Sequence, residues 1–225
     1  MKNSTKELRI TANRTVIKPR LSVDLQVLAD MGQQRSFRKG AILVNEGEAG
    51  DAIYILIQGR VRVFSAGTSG NEITLGTVLA GDFFGEMALD GGERSATVEA
   101  LEPCLCAIIP NTHVLAFIRD NGEFAISLLQ KTIARARSAT QAARDLALLD
   151  VYERLAQTLN HLGKVCAEDN SPKTIEPNIT HAELAAHIGA SREMVSKLMK
   201  DLERGGYIQV NTRQVTLLKK LPAKW

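Results

Sequence analysis

Between two segments of strand-like alternation the chain reads Gly85-Glu86-Met87-Ala88-Leu89-Asp90-Gly91-Gly92-Glu93-Arg94-Ser95-Ala96-Thr97. Glycines let backbone N–H groups approach an anion closely. The planar fork of Arg94 matches phosphate oxygens, and the Ser95 hydroxyl adds a further donor. Glu86 lies eight residues upstream and, being an anion itself, cannot hold phosphate. Beside a phosphate it needs donors of its own, and a ribose hydroxyl supplies them, so the stretch suits a sugar phosphate. On residue types alone, a plain Glu86–Arg94 ion pair on a loop is an equal reading.

A second constellation runs from Thr180 to Leu198. Thr180 with Glu183 forms a capping box, Gly189 interrupts the chain, and Ser191 caps a second helix. Leu184, Ile188, Val195, Leu198 and Leu202 supply apolar contacts between the two helices, and the pattern is a helix-turn-helix. Arg192 and Glu193 fall in the first turn of the second helix, with Ser196 and Lys197 one turn later. That first turn enters the major groove, where arginine suits guanine and glutamate accepts from cytosine. The bland alternative is a solvated face with Glu193 paired to Lys197.

These groups need elements to carry them. Leu21, Leu25, Leu28 and Met31 predict a short helix capped by Ser22. From Phe37 to Val44 a series of short strands begins, broken by Gly47, Gly50, Gly59, Gly67, Gly70, Gly76 and Gly81; this is the pattern of an antiparallel barrel or jelly roll. Helices are expected near Asn111 to Arg119 and from Gly122 onward. On the longer one, Ile126, Leu129, Ile133, Ala136, Thr140, Ala143 and Ala147 form a heptad seam, which predicts a homodimer. Asp150, with Glu153 three residues on, caps a helix through Leu155, Leu159 and Leu162 to Gly163, and a polar loop spans Lys164 to Pro177. Beyond Gly206, Tyr207–Val210 and Val215–Leu218 flank a hairpin wing whose tip residue, Arg213, is placed to meet a phosphate.

Phe84-Gly85-Glu86-Met87-Ala88, Glu93-Arg94-Ser95-Ala96-Thr97 and Gly50–Val61 together resemble the cyclic-nucleotide cassette and roll strands of the CRP/FNR family of transcription regulators. The similarity continues through Leu149-Asp150-Val151 into the C-terminal helices and covers nearly the whole chain. It implies an α+β architecture: a basic arm over 1–20, an N-terminal antiparallel β-roll (jelly-roll) domain over 21–120, a long dimerisation helix over 121–149 and a C-terminal winged helix-turn-helix over 150–225. The resemblance further implies an effector held by Gly85, Glu86, Met87, Ala88, Arg94 and Ser95, with Ala139 and Thr140 of the long helix at its base. In members that take cyclic AMP both of the latter positions carry hydroxyls. Thr140 keeps the hydroxyl that crosses to the other subunit and Ala139 loses its partner, a difference of about 1 kcal/mol. Cyclic AMP is therefore the favoured effector, with cyclic di-GMP or cyclic GMP as alternatives, and no cofactor is implied. Thr180, Ser191, Arg192, Glu193, Ser196, Lys197 and Arg213 are the implied DNA contacts on a palindromic operator, and RNA polymerase is the implied protein partner. Lys197 stands where the family's fork-bearing arginine reads, so a related but relaxed half-site is expected.

Composition agrees. With 225 residues and 44% apolar side chains the chain can fill two cores. It holds no run of about 18 uncharged apolar residues, and its first twenty residues lack the apolar segment of a secretory signal. A cytoplasmic setting and no membrane association are expected. Cys104 and Cys106 share one face of an apolar run and read as buried small hydrophobes; with Cys166 they make three thiols where an iron–sulfur cluster usually needs four. No metal site is expected from them or from the scattered His113, His161, His181 and His187. Residues 173–225 hold nine Lys or Arg against five Asp or Glu, the sign that suits DNA. Two competing functions remain. A phosphodiester-cleaving enzyme would use Glu86 and Arg94 but lacks a metal cluster or positioned base. A ligand-independent DNA binder would keep the pocket as a vestige.

Overall fold

The computed structural model describes residues 21–68, 70, 72–163, 173–175, 179–211 and 214–224. The N-terminal arm, Cys166, Arg213 and all of the expected 164–177 loop except 173–175 lie outside the described residues. The chain opens with helix α1 (Val23–Asp30), whose N-cap Ser22 accepts from the Leu25 amide. Leu25 and Leu28 are buried as the periodicity requires, whereas Met31 falls past the helix end and is 53% exposed.

Eight short strands come next: β1 (Gln33–Phe37), β2 (Ile42–Val44), β3 (Ala52–Gln58), β4 (Arg60–Ala66), β5 (Glu72–Leu79), β6 (Phe83–Phe84), β7 (Thr97–Ala100) and β8 (Cys104–Pro110). They form two four-stranded antiparallel sheets, in the orders β1-β8-β3-β6 and β2-β7-β4-β5. Side-chain alternation divides each central strand between two cores. On β3, Ile53 and Ile55 join the core beneath the helices, while Tyr54 and Leu56 face the space between the sheets. On β8, Ala107 and Ile109 take the first direction and Cys104 and Cys106 the second. Both cysteines are thus buried on one face, and burial pushes the Cys106 thiol up to about 12.

Helices α2 (Asn111–Asp120) and α3 (Gly122–Leu148) close the roll. Val114, Phe117 and Phe124 join Leu25, Leu28 and Ile53 in one core. Farther along α3 the heptad positions Ile126, Leu129 and Ile133 are 58%, 59% and 43% exposed, an apolar stripe left open on this chain. Leu149, in extended conformation, ends α3. Asp150 and Glu153 then exchange backbone-to-carboxylate hydrogen bonds that start α4 (Val151–Gly163).

The C-terminal part packs α4, α5 (His181–Ile188) and α6 (Arg192–Arg204) on a sheet of β9 (Lys173–Thr174), β10 (Ile208–Asn211) and β11 (Gln214–Leu217), ordered β10-β11-β9. Leu184, Ile188, Val195, Met199 and Leu202 are its buried centre, with Leu198 packed at the edge. Strand β9 was not foreseen. Its two residues sit in a stretch that reads as loop, and it exists only by pairing with β11.

Candidate functional site

The cassette lies directly after β6. Gly85 turns the chain at φ 87°, a region open to glycine, and a Cβ there would meet Arg94 Nη1 at 2.8 Å. A short 3-10 helix (Glu86–Asp90) then buries Glu86 and Ala88. Asn111 at the head of α2 donates to the carbonyls of Gly50 and Ala88, pinning this turn to the roll.

Arg94 is only 6% exposed. Its Nη1 donates to the Gly85 carbonyl at 3.1 Å, its guanidinium lies 5.7 Å from the Tyr54 ring centre, and Nη2 is 3.7 Å from Asp51 Oδ1. Tyr54 stacks on Phe84 in turn, and burial raises its hydroxyl above the ordinary range against the pull of Arg94. The Asp51 side chain is 95% exposed, so its pairing with Arg94 is weak and readily exchanged for a better anion. Ser95, exposed beside Arg94, donates its hydroxyl to Met87 Sδ at 3.2 Å.

Glu86 does not pair with Arg94. Its carboxylate, 6% exposed, accepts from Arg135 Nη1 of α3 at 2.5 Å. Arg135 also donates to the Phe83 carbonyl at 2.5 Å, and Lys131 one turn earlier pairs with Asp82. A cationic face of α3 therefore locks onto the β6 edge of the roll. Neither Lys131 nor Arg135 was among the expected site residues.

A cavity of about 780 Å³ opens over this cluster. Gly85, Glu86, Met87, Ala88, Arg94 and Ser95 form one wall, and Ser138 and Ala139 of α3 another. Thr140 is exposed on the heptad side of α3, its hydroxyl bonded back to the Ala136 carbonyl at 3.0 Å. Ala139 thus meets the cavity of its own chain, and Thr140, the residue expected to reach the other subunit, turns outward. Ser138, one residue earlier, supplies the cavity hydroxyl and donates it to the Ala134 carbonyl at 3.1 Å. The cavity continues past β5 to Gln157 and Thr158 of α4 and to His187 of α5. There the turn after α5 rests on α3 and the roll: a Cβ at Gly189 would lie 3.0 Å from Leu146 Cδ2 of α3 and 3.7 Å from Ile73 Cδ1 of β5. Arg154 ties this corner together, donating to the carbonyls of Ile188 and Leu149 at 2.8 and 2.7 Å.

The second expected site forms on α5 and α6. Thr180 and Glu183 make the full capping box, and Ser191 accepts from the Met194 amide at 3.1 Å. Arg192, Glu193 and Lys197 are exposed on α6. Ser196 is half-buried, its Oγ 3.0 Å from Nδ1 of His181. Thr180 and Ser191 both spend their side-chain oxygens on helix caps.

A β-roll closed over a buried arginine and joined by a long helix to a winged helix-turn-helix defines a ligand-responsive DNA-binding protein. Residues 34–121 match the cyclic nucleotide-binding domain family and residues 153–221 the Crp-like helix-turn-helix domain family. The chain is 32% identical over 177 residues to the cAMP-activated global transcriptional regulator CRP of Pasteurella multocida, covering 78% of this chain and 85% of that one. It is 30% identical over 204 residues to the cAMP-activated global transcriptional regulator Vfr of Pseudomonas aeruginosa, covering 88% and 95%. A CRP/FNR family regulator from Thermus thermophilus superposes with a TM-score of 0.66 at 30% identity, over 85% of this chain and 95% of that one. The c-di-GMP responsive regulator CLP of Xanthomonas campestris shares the fold, with a TM-score of 0.76 at 22% identity over 86% and 97%. The chain belongs to the CRP/FNR family of transcription regulators. It is a DNA-binding regulator with a cyclic nucleotide-binding domain, and not a phosphodiesterase.

Proposed function

We propose that this chain forms a homodimeric transcription regulator whose operator binding is gated by a cyclic nucleotide, cyclic AMP first among candidates. One observation carries the reading: Arg94 is buried, the only full hydrogen bond of its guanidinium among the described residues is to a neutral carbonyl, and it sits in a cavity wall that α3 closes. Burying a cation is costly without an anion in partnership, and the cyclic phosphate supplies one. In this reading Arg94 and Ser95 grip the phosphate, Ser95 leaving Met87 to do so. The Gly85–Ala88 turn offers backbone amides, and Glu86, oriented by Arg135, accepts from the ribose.

The base then lies along α3 at Ser138 and Ala139, with Thr140 of the partner subunit completing its edge across the Ile126–Leu129–Ile133 stripe. Residues 21–120 serve as effector domain, 121–149 as the dimer helix and 150–225 as the DNA-binding domain. The effector's cavity is also walled by α4 and α5, so a ligand that fits one placement of the DNA-binding domain better than another shifts the balance between them. The α6 helices of the dimer then enter successive major grooves of a palindromic site, half a site each, in the cytoplasm where RNA polymerase is the partner.

A second effector, cyclic di-GMP, is favoured by the size of the cavity and by Ala139, which leaves a purine without one hydroxyl. Calorimetric titration against cyclic AMP, cyclic GMP and cyclic di-GMP decides between them. Tightest binding by cyclic AMP, weakened by Thr140→Ala, is the expected result. Binding by none of the three, with operator affinity intact, would establish the vestigial pocket instead.

A further inference from the structure

We propose that His181, the first residue of α5, is a DNA-contacting residue that takes up a proton as the duplex binds, giving a backbone phosphate a positive partner and releasing the Ser196 hydroxyl to donate toward the DNA. The pair lies where the start of α5 meets the second turn of α6, with His181 Nδ1 3.0 Å from Ser196 Oγ and both side chains half-buried. In a helix-turn-helix the second helix enters the groove while the first crosses the phosphate backbone. The start of α5 beside the reading turn of α6 therefore faces the phosphates that flank the bases read by Arg192.

The donors and acceptors of the pair give this contact two states. With a neutral ring accepting at Nδ1, Ser196 spends its single O–H on His181 and shows the duplex only lone pairs. With the ring protonated, Nδ1–H donates to Ser196 Oγ, and the hydroxyl is freed to donate to a base or phosphate acceptor. For the Nε2–H tautomer of the neutral ring, one proton thus changes a residue on the reading helix from acceptor to donor.

Electrostatics sets which state prevails. Burial holds the His181 imidazole below its ordinary range, helped by Arg192 and Lys200 of α6, both cations. On its own helix the nearest acid, Glu183, turns its carboxylate to the Thr180 amide. The free protein thus carries a neutral ring at neutral pH. Phosphates arriving at this corner neutralise the exposed Arg192 and Lys200 and attract the imidazolium directly, so the bound protein holds the proton to higher pH. DNA affinity consequently rises as pH falls between the two values, and levels off once the free ring is itself protonated. One linked proton gives at most about tenfold per pH unit per subunit.

The test uses the full chain and a mixed-sequence duplex at low salt, which needs neither the operator nor the effector, so failure of the nucleotide reading leaves it intact. Calorimetry in buffers of differing ionisation heat between about pH 5.5 and 8 reads proton uptake, and fluorescence anisotropy reads affinity. Wild type should take up protons and bind severalfold tighter per pH unit lost. His181→Gln should flatten that slope, while His161→Gln, on the exposed side of α4, should keep it. Resonances of ring-labelled His181 in the wild-type chain give an independent readout that survives a poorly folded variant. Their titration should move to higher pH when duplex is added. Superimposable wild-type and His181→Gln profiles, or a His181 titration unmoved by duplex, would overturn the proposal.

Discussion

Arg135 gives the sharpest quantitative test of how the long helix is coupled to the pocket. Its guanidinium touches two groups of the roll at 2.5 Å, the Glu86 carboxylate and the Phe83 carbonyl. The side chain of Glu86 is 6% exposed and that of Arg135 34%. Arg135→Met keeps most of the volume and removes the charge, stranding a buried carboxylate. Breaking a fully buried pair costs about 3–5 kcal/mol and an exposed one about 0–1 kcal/mol. With one partner a third open to solvent, a loss of roughly 1.5–3 kcal/mol is expected. For a chain of this size that lowers the melting temperature by about 3–12 °C. Glu86→Gln in the same background removes the stranded charge and should restore most of the loss. The four proteins of the cycle, measured by denaturant unfolding and by nucleotide titration, should give a coupling of about 1–2 kcal/mol, or roughly five- to thirtyfold in affinity. Strictly additive effects would show that Arg135 and Glu86 do not act as a pair, and the coupling of α3 to the cassette would lose its support.

Three further outcomes are expected from the same geometry. Leu129→Lys with Ile133→Lys places charges on the open stripe of α3 and should yield a monomer by analytical ultracentrifugation; an unchanged mass would move the dimer contact elsewhere. Gly85→Ala puts a Cβ 2.8 Å from Arg94 Nη1 at a positive φ, so stability should fall by about 1–3 kcal/mol and effector affinity with it; wild-type thermal stability and affinity would show that the turn relaxes freely. Arg192→Ala should cost about 1–3 kcal/mol at one base pair and relax selectivity there, whereas Lys197→Arg should sharpen it. Selection of bound duplexes from a random pool reads both, and unaltered sequence preferences would take α6 out of the groove.

Much of this arrangement was legible in the sequence because its signals are local. Glycines at turns and a Ser22 or Thr180 cap carry their meaning within a few residues, and the caps form as expected; Gly76, expected to break a strand, instead lies inside β5, where the β4–β5 register shifts. The roll was legible through alternation, which correctly put Cys104 and Cys106 on one buried face. What escaped is set by tertiary packing. Lys131 and Arg135 share α3 with other cations, and only the docking of Phe124 and Leu128 on the roll decides which of them reach it. The same rotation of α3 brings Ser138 to the cavity wall beside Ala139. Ser196 carries a polar label suited to base reading, but its bond to His181, fifteen residues away, changes what it can offer. Strand β9 is too short to announce itself and depends on β11.

Control of DNA access by a nucleotide held at Arg94 stands at the centre of the proposed mechanism. Operator affinity measured with and without saturating cyclic AMP, on wild type and on Arg94→Ala, tests it most directly, using a duplex selected for binding by the wild-type chain. A ligand-dependent change in wild type of about tenfold or more, lost in Arg94→Ala, is the result this mechanism requires. The same affinity in all four measurements, with cyclic AMP shown to occupy the wild-type pocket, would contradict it.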